Sequence, residues 1–186
     1  MDLNALAQQI IQELLVVADS DPHERLPKEE QTRCITYAAL RPAFRSVCAE
    51  RGYCSVDEGE LTECDLWARN PGEPPLFMEI KHAWSASAYN SKPSEQLGNW
   101  LADLGKLREV GEAANRYFLL VGFFDEDPKQ NKDPRPKSVL ANIQRLLPKN
   151  LVHSESAPFK WRGEVISHLA IWVWHWPAGE SMASPI

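Results

Sequence analysis

A chain of 186 residues with 44% hydrophobic and 25% charged side chains falls in the ordinary range of soluble globular proteins, and at this length it buries roughly 70% of its unfolded surface without needing disulfides or a structural metal. That excludes collagen-like, disordered and miniprotein classes and points to a single domain over residues 1–186. The formal charge of −6 argues against wholesale coating of nucleic acid or of an anionic membrane, but the charge is uneven: residues 1–80 hold seven basic and fifteen acidic side chains, residues 129–186 eight and four.

The spacing of Leu3, Leu6, Ile10, Ile11, Leu14 and Val17 predicts an amphipathic helix over 3–18, ended by Asp19-Ser20-Asp21-Pro22. This start lacks a basic signal-like region, and no apolar run approaches the roughly 18 residues needed to span a bilayer, so a cytoplasmic protein is expected. A second helix is expected from residue 28 to about 51, capped by Gly52 and kinked or broken at Pro42. Short β-prone segments at 53–56, 61–69 and 76–83 read as an antiparallel meander, with Asn70-Pro71-Gly72 as the turn between the last two. Cys34, Cys48, Cys54 and Cys64 form no CxxC pair and have no His at zinc-motif spacing, so reduced, buried thiols are expected.

Leu97, Trp100, Leu101, Leu104, Leu107 and Val110 predict a helix over about 94–114, and the apolar run 116–124 reads as a central strand covered on both faces. Residues 125–137, charged and proline-rich, are expected to be a solvated loop. A basic helix with Val139, Ile143, Leu146 and Leu147 as its stripe follows, stopped by Pro148. A last strand over 164–176 alternates Trp172, Trp174 and Trp176 with Ile171, Val173 and His175, which suits core packing better than base stacking. The order predicts an α/β fold, a mixed β-sheet flanked by helices.

The chemistry concentrates in ECDLWARNPGEPPLFMEIKHAW, residues 63–84. Side chains at i and i+2 of a strand share a face, so Glu79 and Lys81 point the same way, and hairpin pairing lets Asp65 reach them. Two carboxylates and an ammonium at one point suit phosphodiester hydrolysis. Carboxylates hold Mg²⁺ while leaving sites for water and substrate, and the lysine orients the attacking water, helps deprotonate it or stabilises the developing charge. His82, next in sequence, faces the other side. There is no glycine-rich phosphate loop to support nucleotide-driven chemistry.

At these residues the sequence resembles the PD-(D/E)xK nuclease superfamily, whose fold is restriction-endonuclease-like. Asp65 matches its first acid and Glu79-Ile80-Lys81 the (D/E)xK tripeptide, while Cys64 stands where the name-giving proline would be. The likeness covers a nuclease-like core of about 28–124, leaving 125–186 as a basic C-terminal extension. It implies Asp65, Glu79 and the Ile80 carbonyl as ligands of Mg²⁺ or Mn²⁺, with Lys81 catalytic. It also implies a helix-borne acid, for which Glu30 aligns with Cys34, Tyr37 and Phe44 and has Glu58 as competitor, and a polar or basic residue on the following helix, Gln96 or Lys106.

The resemblance implies a metal-dependent endonuclease acting on DNA, in restriction or defence, with an RNA-directed enzyme sharing the same chemistry. Residues 129–162, with eight Lys or Arg against Asp133 and Glu155, are the expected phosphate surface, with Lys106, Lys137, Arg145 and Lys149 in contact. Enzymes of this fold often cut as dimers, which makes a homodimer an expectation. The alternative is a catalytically inactive member of the fold that binds a protein partner, as immunity or antitoxin-like proteins do. The acidic N-terminal half favours that alternative, and the presence of all three site residues favours the nuclease.

Overall fold

The structure is a computed structural model that describes residues 2–20, 27–52, 63–84, 93–124, 142–143, 150–161 and 165–182. In chain order its elements are α1 (Leu3–Ser20), α2 (Glu29–Leu40), β1 (Ser46–Gly52), β2 (Glu63–Arg69), β3 (Leu76–Trp84), α3 (Pro93–Glu109), β4 (Asn115–Phe124), β5 (Leu151–Trp161) and β6 (Val165–Trp176). The strands form one six-stranded mixed sheet of order β1-β2-β3-β4-β6-β5. Neighbours pair antiparallel except β3 and β4, which run parallel. A parallel pair requires a crossover, and α3 supplies it.

Helices cover both faces. On one, α1 and α2 bury Leu6, Ile10, Leu14 and Leu40 against Leu66, Ile80, Leu119, Val121 and Ile171. On the other, α3 buries Trp100, Leu104 and Leu107 against Phe118, Leu120, Trp172 and Trp174. β4 lies between two neighbours and under both layers, which is why NRYFLLVGFF is buried at every residue after its first. The expected tryptophan alternation is present: Trp172 and Trp174 belong to the α3 core, whereas His175 stacks on Tyr117 with ring centroids 4.3 Å apart.

Several expectations are corrected. The second helix ends at Leu40, before Pro42, and the residues meant to continue it to about 51 are a turn and the edge strand β1. Proline supplies no N–H to extend the helix, and the N–H groups of Ala43 and Phe44 both donate to the Leu40 carbonyl, at 3.0 and 3.2 Å. The first strand of the meander is therefore β1; residues 53–56 lie outside the described residues. α3 stops at Glu109 instead of 114, where Gly111 takes a φ of 82°, the left-handed conformation that closes helices.

β5 occupies a stretch where the sequence alone predicts no strand, and its Pro158 is tolerated because β5 is an edge strand. Of the basic helix, only Asn142 and Ile143 are described, helical and buried. Cys64 is buried, but Cys48 is intermediate and Cys34 exposed on the outer face of α2, so buried thiols are not the rule. Among the described residues, no helix is long and apolar enough to cross a membrane.

Candidate active site

The β2–β3 ladder is short. Its register runs through Ala68↔Leu76, Trp67↔Phe77 and Leu66↔Met78. One step further, where Asp65 would face Glu79, a side chain takes over: Asp65 Oδ2 accepts the Ile80 N–H at 2.7 Å. The carboxylate thus satisfies a backbone donor that would otherwise be buried without a partner, and it places Asp65 beside β3.

Around this gap the chain gathers charge from four elements. Lys81 Nζ lies 3.1 Å from Glu29 Oε1 of α2, 3.4 Å from Asp103 Oδ2 of α3 and 3.8 Å from Asp65 Oδ2. Asp65 Oδ1 is 3.1 Å from the Arg33 guanidinium, which also stands 4.0 Å from Glu29. Lys106 closes the group from outside, 2.6 Å from Asp103 Oδ1. Glu79 is 1% exposed at the centre.

The protonation states follow from this crowding. Burial, then the charges of Asp65 and Asp103 and a hydrogen bond with Asp65, push the Glu79 carboxyl up to about 9, with Lys106 pulling the other way. Glu79 is thus a neutral acid near pH 7. Burial would lower the Lys81 ammonium, but Asp65, Glu29 and Asp103 outweigh it and hold Lys81 above its ordinary value. Lys106 is likewise raised, its burial being outweighed chiefly by the hydrogen bond to Asp103.

His82 faces away from this group, as the strand alternation predicts. Its Nε2 shares a 2.8 Å hydrogen bond with Thr32 Oγ1 of α2, and its ring meets the edge of Phe123 at 5.7 Å. Burial, reinforced by Lys81, lowers the imidazole to about 3, so the ring is neutral.

Asp65, Glu79 and Lys81 are therefore brought together, as expected. Glu30 is not part of the group: it is exposed, and the helix acid that reaches Lys81 is Glu29. The face of α2 turned to the sheet is set by Leu40, Thr36 and Thr32, four residues apart and fully buried, and Glu29 continues that line one turn earlier. Cys34 and Tyr37 lie on a different face of α2, and Phe44 lies beyond its end. Lys106 sits beside the site through Asp103, and Gln96 lies in the first turn of α3. Glu58, Lys137, Arg145 and Lys149 lie outside the described residues.

The sequence reading misses Arg33 and Asp103. Asp103 had a legible signal, a charged residue three after Trp100 and four before Leu107 in the apolar stripe of α3. Arg33 had none.

No three His, Cys, Asp or Glu side chains form a metal-binding group among the described residues. The donor set is instead a carboxylate pair, Asp65 and Glu79, with the Ile80 carbonyl next in the chain. Glu79 is buried beside Asp65, with which it shares a hydrogen bond, and this hard-oxygen pair fits a divalent cation, which would offset the repulsion between two ionised carboxylates. Comparison with protein-family models, curated proteins and solved structures gives no match to this chain.

Proposed function

We propose that this chain is a nuclease of the PD-(D/E)xK type with a restriction-endonuclease-like fold, hydrolysing phosphodiester bonds in DNA with Mg²⁺ or Mn²⁺. One observation carries the reading: Asp65, Glu79 and Lys81 converge where the β2–β3 ladder gives way. The antiparallel β1–β2–β3 unit followed by a helix and a parallel strand supports it.

Asp65, Glu79 and the Ile80 carbonyl would hold the cation, which supplies charge neutralisation at the phosphoryl oxygens and a water acidic enough to attack near pH 7. Glu79 must give up its proton to take part. Lys81, held protonated by three carboxylates, does not act as a base in this state; it donates hydrogen bonds to the attacking water or to the phosphoryl oxygens and offsets developing charge. Glu29 and Asp103 fix the ammonium from the two helices.

The test is incubation of the purified protein with plasmid DNA, single-stranded DNA and RNA in Mg²⁺, Mn²⁺ or EDTA. Metal-dependent DNA cleavage that falls about a thousandfold or more in Asp65→Asn and in Glu79→Gln is expected, because metal and water positioning supply most of the acceleration. Undiminished cleavage by both variants would assign the activity elsewhere.

A second reading, an inactive fold member that binds a protein, is favoured by Asp65 being paired from within the chain by Arg33 and the Ile80 N–H. It requires no cleavage of any nucleic acid and a melting temperature indifferent to Mn²⁺.

A further inference from the structure

The two oxygens of Asp65 are engaged differently. Oδ2 is committed to the protein's own architecture, through the 2.7 Å bond from Ile80 N–H and the Lys81 ammonium 3.8 Å away. Oδ1 faces the Arg33 guanidinium at 3.1 Å, and the carboxylate also shares a hydrogen bond with Glu79, the other acid of the pair. A guanidinium and a divalent cation on one carboxylate oxygen repel each other across a poorly solvated gap, where the side chains of Arg33 and Asp65 are 17% and 11% exposed.

Arg33 also has somewhere to go. Its fork of donors fits a phosphate as well as a carboxylate. It is carried on α2, beside Thr32, whose bond to His82 pins the helix to β3. The guanidinium can therefore change partner by side-chain rotation while α2 stays docked.

We propose that Arg33 is the resident counter-cation of Asp65, and that it yields Oδ1 to a divalent cation most readily when a phosphodiester is present to receive the guanidinium. This rests on the nuclease reading of the site and adds a role for a residue outside its acid–acid–lysine set. The consequence is coupling: cation and phosphodiester each bind better in the presence of the other, because Arg33 must leave one anion before it serves the next.

Mn²⁺ binding, followed by calorimetry and by the electron paramagnetic resonance of the free ion, tests this without reference to turnover. The probe for the second ligand is dimethyl phosphate, a diester that resists hydrolysis. Arg33→Gln is expected to bind Mn²⁺ alone about tenfold tighter than the wild type. Dimethyl phosphate should tighten Mn²⁺ binding to the wild type and leave Arg33→Gln unchanged, while Arg33→Lys, which restores the charge, should return the affinity for Mn²⁺ alone toward the wild-type value. Thermal melting of each variant establishes that it is folded, and Arg33→Met serves where Arg33→Gln is not.

Mn²⁺ binding of equal strength in wild type and Arg33→Gln, or a dimethyl phosphate effect that survives in Arg33→Gln, overturns the proposal and leaves the nuclease reading standing. Absence of Mn²⁺ binding from the wild type and every Arg33 variant overturns both.

Discussion

Glu79 is the residue at which stability and chemistry conflict. Its carboxyl is held at about 9 against an ordinary value of 4.5, chiefly by burial and by Asp65. Below pH 4.5 it is protonated in both folded and unfolded chains and costs nothing. Between there and pH 9 the folded protein keeps a proton that the unfolded chain releases, so stability falls as pH rises. Glu79→Gln, neutral throughout, should be more stable than wild type by up to about 3 kcal/mol at pH 7, with the difference vanishing below pH 4.5. Melting curves from pH 4 to 9 in EDTA check this, and a constant difference across that range would contradict it. Saturating Mn²⁺ should narrow the gap by stabilising the wild type alone.

At the scale of elements, α2 determines whether the site is assembled. It has few apolar anchors, and its inner face is built on Thr32 and Thr36, both fully buried; Thr36 Oγ1 donates to the Thr32 carbonyl at 2.8 Å. Gln31 secures its start by accepting the Lys28 N–H at 2.7 Å, and Glu29 and Glu30 suit the positive end of the helix. Thr32→Val keeps the shape but leaves His82 Nε2 without that partner, and should cost about 1 to 3 kcal/mol in denaturant unfolding. A cost near zero would show that packing alone holds the helix. The same polar face explains what the sequence hid. Asp65, Glu79 and Lys81 were legible because strand alternation and the Asn70-Pro71-Gly72 turn fix a register. A helix face made of threonines carries no hydrophobic period, so Glu30 looked better placed than Glu29. β1 was masked by a helix-like run on both sides of Pro42, and β5 by its polar composition and Pro158. β3, β4 and β6 were plain because burial on two faces leaves long apolar runs.

Across the whole molecule, charge is divided between an acidic first half and the basic residues 129–162. If that basic stretch contacts phosphates, reversing Lys137, Arg145 and Lys149 together should weaken DNA binding for every sequence and flatten its dependence on salt by about one unit per lost contact. Filter binding across a salt series measures both, and unchanged slopes would remove the segment from the interface. The gap in the β2–β3 ladder reaches further than the site. β1 and β2 share a ladder running from Ser46↔Arg69 to Gly52↔Glu63, while only three pairs join β2 to β3. β3, β4, β6 and β5 are joined by longer ladders, with one irregularity in β5 between Leu151 and His153. The sheet therefore has a seam, bridged on one face by α2 through Thr32–His82 and Arg33–Asp65. Asp65 rides on one side of that seam, and Glu79 and Lys81 on the other. In native-state deuterium exchange, the amides bonded across the seam, the Ile80 N–H among them, should open together at lower free energy than those of β4, and Thr32→Val should accelerate them selectively. Each such opening parts Asp65 from Glu79 and dismantles the charge cluster, so the site exists only while the seam is shut.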